Sequence, residues 1–204
     1  MGILSASTGL TRYRIMDEVN NELLRDVPRL LKQYHFLDID DSAEERSFGW
    51  TNIDDMLDVD WNQSPPEKGH YMTFTLRLET RRVQPAVFKK HLQIALKKEM
   101  AQAKEQGKNF ISRARKQEIK EQVMLRLRAR SLPIPAVFDV VWNTQTHRLY
   151  LDTTNAKACA LFEDHFYNTF ELRLEPLTPF FLAMDQLGED AAKTLENLEP
   201  SIFI

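Results

Sequence analysis

Residues 71–80, YMTFTLRLET, place Met72, Phe74, Leu76 and Leu78 on one side of an extended chain and Thr73, Thr75, Arg77 and Glu79 on the other. That period of two predicts a strand with one face turned to a core. Shorter runs carry the same signal. LTRYRI (10–15) alternates, in a strand that could begin as early as Ile3, and SFGWT (47–51) reads as a short strand. AVFDVVW (136–142) and RLYLD (148–152) read as a hairpin joined by NTQTH, and FELRL (170–174) as a further strand.

A period near 3.6 marks the helices. Asp26 is a candidate cap with Pro28 in the first turn, and Leu30, Leu31 and Tyr34 form the apolar face. Pro85 opens a long helix over residues 85–106 that Gly107 ends. Its inward face is Phe88, Leu92, Ala95, Leu96 and Ala103. Ser112 caps a second helix to about residue 130, with Ile119, Val123 and Leu127 inward and Pro133 and Pro135 beyond its end. The pair predicts a helical hairpin turning at Gly107. Asn155 caps a helix to about residue 168, buried through Ala158, Leu161, Phe162 and Phe166, and Thr178 caps PFFLAMDQL. Residues 56–69, acidic and then Pro-rich, predict a loop.

Strands and helices in this mixed order, with at least one β-hairpin, predict an α+β fold: a mixed, largely antiparallel sheet with packed helices and a long basic helical hairpin. We expect one α+β domain over residues 1–190, with the hairpin at 85–130. An acidic tail, 191–204, ends in Ile202-Phe203-Ile204.

Charge changes this picture most. The 204-residue chain has a formal net charge of −3. Residues 81–130 nevertheless hold fifteen basic and four acidic residues, or +11, leaving −14 for the rest. A basic face on an acidic molecule is the footprint of a polyanion binder. Lys90, Lys97 and Lys104, spaced by seven, make a stripe opposite the apolar face, with ~10 Å between neighbours. Lys98, Lys108, Arg113, Arg115, Lys116 and Lys120 lie nearby in sequence. These nine are the candidate phosphate contacts. Arg126, Arg128 and Arg130 point in different directions on a helix and are candidates for pairing with acidic residues. The segment holds only two aromatics, Phe88 and Phe110, so a stacking platform for single strands is not expected. No base-reading motif accompanies the charge, so duplex phosphate contact without sequence readout is the natural form.

The chain shows no GxxxxGK[ST], GxGxxG or GxSxG, and no Cys/His spacing that suits zinc. His35, His70, His91, His147 and His165 are scattered. The carboxylates Asp38, Asp40 and Asp41, and then Asp54, Asp55, Asp58 and Asp60, cluster in sequence. A two-metal nuclease would need such groups to converge on ions ~4 Å apart. They are read as solvated loops, and neither a catalytic residue, a metal nor a cofactor is expected. The N-terminus has no basic start followed by an apolar run, and no run approaches the ~20 residues of a membrane span. The single cysteine, Cys159, reads as a small buried residue and fits a reducing cytosol.

Several stretches resemble the RdgC family of recombination-associated proteins. MTFTLRLETRRVQPAVFKKHLQIALKK is similar to that family's strand and Pro-initiated helix. KQEIKEQVMLRLRARSLPIPAVFDVVW is similar to its basic helix and following strand, ending at Trp142. NAKACALFEDHFYNTFELRLEPL, TRYRI and the pair Gly49-Trp50 also correspond, so the resemblance covers roughly residues 1–185. It implies a non-enzymatic, sequence-nonspecific, double-stranded-DNA-binding homodimer. RdgC proteins form a ring with a positive central hole and restrain RecA-promoted strand exchange. The chain is read as a short member lacking the C-terminal region of longer ones, cytoplasmic and nucleoid-associated. RSLPIP (130–135) departs from the longer members. Two other readings remain at this level. One is an interaction module whose basic face docks an acidic partner without DNA. The other is a metal-dependent nuclease built on the aspartates.

Overall fold

The computed structural model describes residues 2, 3, 5, 7–42, 44–105, 107, 109–188 and 192–199. In chain order the elements are β1 Thr11–Ile15, α1 Asn21–Gln33, β2 Arg46–Thr51, β3 Glu67–Lys68, β4 Tyr71–Thr80, α2 Pro85–Glu105, α3 Arg113–Arg128, β5 Ile134–Asn143, β6 Arg148–Leu151, α4 Ala156–Phe170, β7 Leu174–Pro176, α5 Pro179–Leu187 and α6 Ala192–Glu196. Seven strands form one sheet in the order β2-β4-β5-β6-β1-β7, with β3 on β4. The pairs β1–β6, β1–β7, β3–β4 and β5–β6 are antiparallel. The fold is α+β.

The chain divides into two compact units. One comprises residues 1–35, 49–76 and 137–204, the other residues 36–48 and 77–136. β2, β4 and β5 contribute residues to both.

The first unit holds the large core. Phe162, Phe166 and Phe170 recur every fourth residue along α4, which puts them on one helix face. Trp142 of β5 sits 5.8 Å from both Phe166 and Phe170. Trp50 of β2 meets Phe74 of β4 edge-on at 5.0 Å, and its indole N–H donates to Thr169 Oγ1 at 2.9 Å. Tyr13, Val27, Leu31, Leu149 and Leu151 complete a dry centre. The β5–β6 hairpin closes through Asn143, whose Oδ1 accepts from Thr146 N–H at 2.9 Å.

β4 has the predicted bounds, but both its faces are buried. Thr73 donates to the Pro66 carbonyl and Thr75 to Asp139 Oδ1. In the second unit Arg77 and Glu79, two apart on one face, form a buried ion pair at 2.5 Å, and Phe36 lies 4.1 Å beneath the Arg77 guanidinium. Period-two alternation located the strand. The polar side chains are covered because each has a partner.

Three boundaries correct the sequence reading. α1 begins one turn and a half before Asp26, because Asn20 Oδ1 accepts from Leu23 N–H at 2.7 Å and caps it. Pro28 is thus interior, where it lacks the N–H that would reach the Leu24 carbonyl, and Asp26 pairs with Arg29 instead. α4 runs through Phe170 rather than stopping near residue 168, and Glu171 in the left-handed region (φ 58°) ends it. The expected strand at 170–174 is therefore displaced to β7, which shares only Leu174 with it. The first strand of the β5–β6 hairpin is longer than expected, since β5 starts at Ile134 and includes Pro135. Residues 202–204, the apolar end of the tail, lie outside the described residues.

Candidate nucleic-acid interface

The basic segment folds as the α2–α3 hairpin of the second unit. Pro85 can open α2 because its missing N–H would be unpaired there in any case. Gly107 turns the chain at φ 77°, a value that favours glycine, and its N–H donates to the Lys104 carbonyl at 3.0 Å. Ser112 Oγ accepts from Arg115 N–H at 3.2 Å and caps α3. Arg115 then reaches across the hairpin to Glu99 at 2.7 Å and along its own helix to Glu118 at 3.0 Å. The guanidinium holds the Glu99 carboxyl below the usual carboxylate range, and the two glutamates raise Arg115.

The expected inward residues of α2 form no closed core. Phe88, Leu92, Ala95, Leu96 and Ala103 are half-buried, and no residue of α2 is fully buried. On α3, Ile119 and Val123 are buried as expected and Leu127 half-buried.

The nine candidate contacts sort onto distinct sides of this hairpin. Lys90, Lys97 and Lys104 are exposed, on the side of α2 turned away from α3. Arg113, Lys116 and Lys120 are exposed and line a cleft of about 630 Å³ with Leu92 and Leu96. Lys98 and Arg115 line a different cleft, of about 490 Å³, with Arg126 and Arg130. Lys108 lies outside the described residues. Arg128 pairs with Glu45 at 2.5 Å.

One anchoring residue escaped the sequence reading. Arg81, just past β4, is buried and donates to four carbonyls: Ile39 at 2.5 Å, Asp40 at 2.9 Å, Arg128 at 3.2 Å, and Ser131. Two of these lie at the C-terminal end of α3, where carbonyl dipoles favour a cation. In the sequence Arg81 is one of fifteen basic residues in the segment, and nothing there separates a carbonyl anchor from a surface charge.

The acidic clusters make turns. Asp38 accepts from Asp40 N–H at 2.7 Å, Asp55 from Leu57 N–H at 2.9 Å and Asp58 from Asp60 N–H at 3.0 Å. Asp54 pairs with Lys68 at 2.8 Å. Among the described residues no three His, Cys, Asp or Glu side chains are grouped so as to hold a metal ion. Nor, among them, is any helix long and apolar enough to cross a membrane. Cys159 is half-buried on α4, 3.5 Å from Thr11 Oγ1.

The basic hairpin and all seven strands of the sheet lie within the stretch that a known family matches. The family model described as "Putative exonuclease, RdgC" matches residues 9–184. The chain belongs to the RdgC family. The match runs from just before β1 into α5 and so includes the whole hairpin. No curated protein matches the chain. Membership in the RdgC family supports a recombination-related role.

Proposed function

We propose that this RdgC-family chain binds duplex DNA without sequence preference, acts as a homodimer, and restrains RecA-dependent strand exchange by occupying the duplex rather than by catalysis. The observation that carries the reading is a set of six exposed cations, Lys90, Lys97, Lys104, Arg113, Lys116 and Lys120. None of them has an ion-pair partner among the described residues. Their role is to neutralise phosphates and release counterions. Arg115, engaged by two glutamates, holds the hairpin together, and Lys98 belongs to the other cleft. The −14 carried outside residues 81–130 supports confinement of a polyanion to the hairpin. The same logic favours association with the nucleoid.

The family's printed name raises exonuclease activity. A turn-forming role for the loop aspartates is favoured over catalysis, because Asp38, Asp55 and Asp58 accept from backbone N–H groups and Asp54 pairs with Lys68. Incubation of labelled linear duplex with the protein and Mg²⁺ or Mn²⁺ checks the point. Uncut DNA is expected, and shortening from an end would assign the family's printed activity.

Binding is tested by titrating duplex DNA with wild-type protein and with Lys90→Glu/Lys97→Glu/Lys104→Glu. The variant is expected to weaken binding to all sequences alike. Loss confined to one sequence would indicate base readout. Light scattering that finds a dimer, together with no DNA affinity at low salt, would favour a protein-docking role instead. In a RecA strand-exchange assay the wild-type protein is expected to slow product formation, and the triple variant is not.

A further inference from the structure

The cleft lined by Lys98, Arg126 and Arg130 combines an apolar floor with basic walls. Its floor is apolar, with Ile119 and Val123 buried and Ala95 half-buried. Ile94 stands on its wall with 54% of its surface exposed. Along α2 the lining residues His91, Ile94, Lys98 and Gln102 are spaced by three, four and four. Along α3, Arg115, Ile119, Gln122, Arg126 and Arg130 are spaced by four, three, four and four. These are the ridges of two helices flanking a groove. From His91 to Gln102 the groove runs ~16 Å, about three helical turns.

Glu99 also lines the groove but is held by Arg115, so the charge left unpaired on the walls is basic. Arg115 is held by Glu99 and Glu118, whereas Lys98, Arg126 and Arg130 have no ion-pair partner among the described residues. A DNA backbone would gain nothing from Ile94 or from the apolar floor. A ligand that buries apolar side chains while presenting carboxylates on its flanks would use both features. A helix laid in the groove does so with apolar residues at i, i+3, i+4 and i+7.

We infer that the groove between α2 and α3 lined by Ile94, Lys98, Arg126 and Arg130 is a docking site for an amphipathic helix with acidic flanks on a partner protein. The site shares no residue with the six proposed phosphate contacts and does not depend on them. The hairpin thus carries two interfaces, and the second recruits a protein to wherever the first is bound.

Three synthetic 18-residue peptides test this by fluorescence anisotropy. All have the same number of Leu and of charged residues: a Leu stripe with Glu flanks, the same stripe with Lys flanks, and a scrambled Glu version. The acidic striped peptide should bind at least about tenfold tighter than the other two. Lys98→Glu/Arg126→Glu/Arg130→Glu should invert the order, preferring the Lys-flanked peptide. If that variant loses its helical circular dichroism, Ile94→Asp serves instead, with an expected loss of about tenfold for the acidic peptide. A short duplex should not displace the bound peptide. Absence of binding, equal binding of the scrambled peptide, or stoichiometric displacement by duplex would each overturn the inference. DNA titration of the same proteins reads the six-cation surface separately, so failure of one leaves the other measurable.

Discussion

At the residue scale, the side chains that decide this molecule are polar groups placed where water is excluded. His165 on α4 stacks against Trp50 at 4.5 Å, and burial lowers its pKa from 6.5 to about 4. The unfolded chain therefore takes up this proton at a higher pH than the folded one. The associated stability is complete above about pH 6.5 and is lost as pH falls toward 4. His165→Phe is expected to flatten the pH dependence of the unfolding free energy between pH 4 and 6.5, as read by urea denaturation. An unchanged slope there would show that carboxylates carry it. Phe162, fully buried among Tyr13, Trp50 and Phe166, belongs to the apolar core beside it. Phe162→Ala should cost about 3–5 kcal/mol in the same assay. The core face of α4 could be read from its spacing. His165 could not, since a histidine three residues from Phe162 is equally at home on a helix flank.

At the scale of elements, legibility followed the strength of local signals. β4 and α5 matched residue for residue, because strict alternation in one and a Thr–Pro cap in the other leave little choice. α1 was misplaced because Pro28 reads as a first-turn proline, whereas Asn20 and the apolar Leu23, Val27 and Leu31 carry the helix through it. α4 overran into the expected strand because an aromatic at every fourth residue outweighs a two-residue alternation over FELRL. The hairpin was legible in its ends and faces, yet its anchor was not. Arg81 joins the end of α3 to the loop at 39–40 through carbonyls, which have no side-chain signature. Arg81→Met removes that donor fan. Amide exchange at Arg130 and Ser131, whose N–H groups close the last turn of α3, should quicken, while exchange in α4 stays as it was. Uniform acceleration throughout the chain would show a global loss of stability rather than an anchoring role.

On the scale of the whole molecule, the charge count of the sequence and the faces of the hairpin describe one property at two resolutions. The sequence shows that +11 is concentrated in fifty residues but cannot tell a paired cation from an available one. Arg115, Arg128 and Arg81 are engaged by carboxylates or carbonyls, whereas Lys90, Lys97, Lys104, Arg113, Lys116 and Lys120 are among those with no such partner in the described residues. That division removes from the candidate contacts the cations that hold the hairpin together. The central claim is therefore best tested by the salt dependence of duplex binding. With six phosphates contacted, log K against log salt should fall with a slope of about −5 for the wild type. Lys90→Glu/Lys97→Glu/Lys104→Glu should bring the slope to about −2. A flat response to salt, or a slope that the triple variant leaves unchanged, would contradict the account.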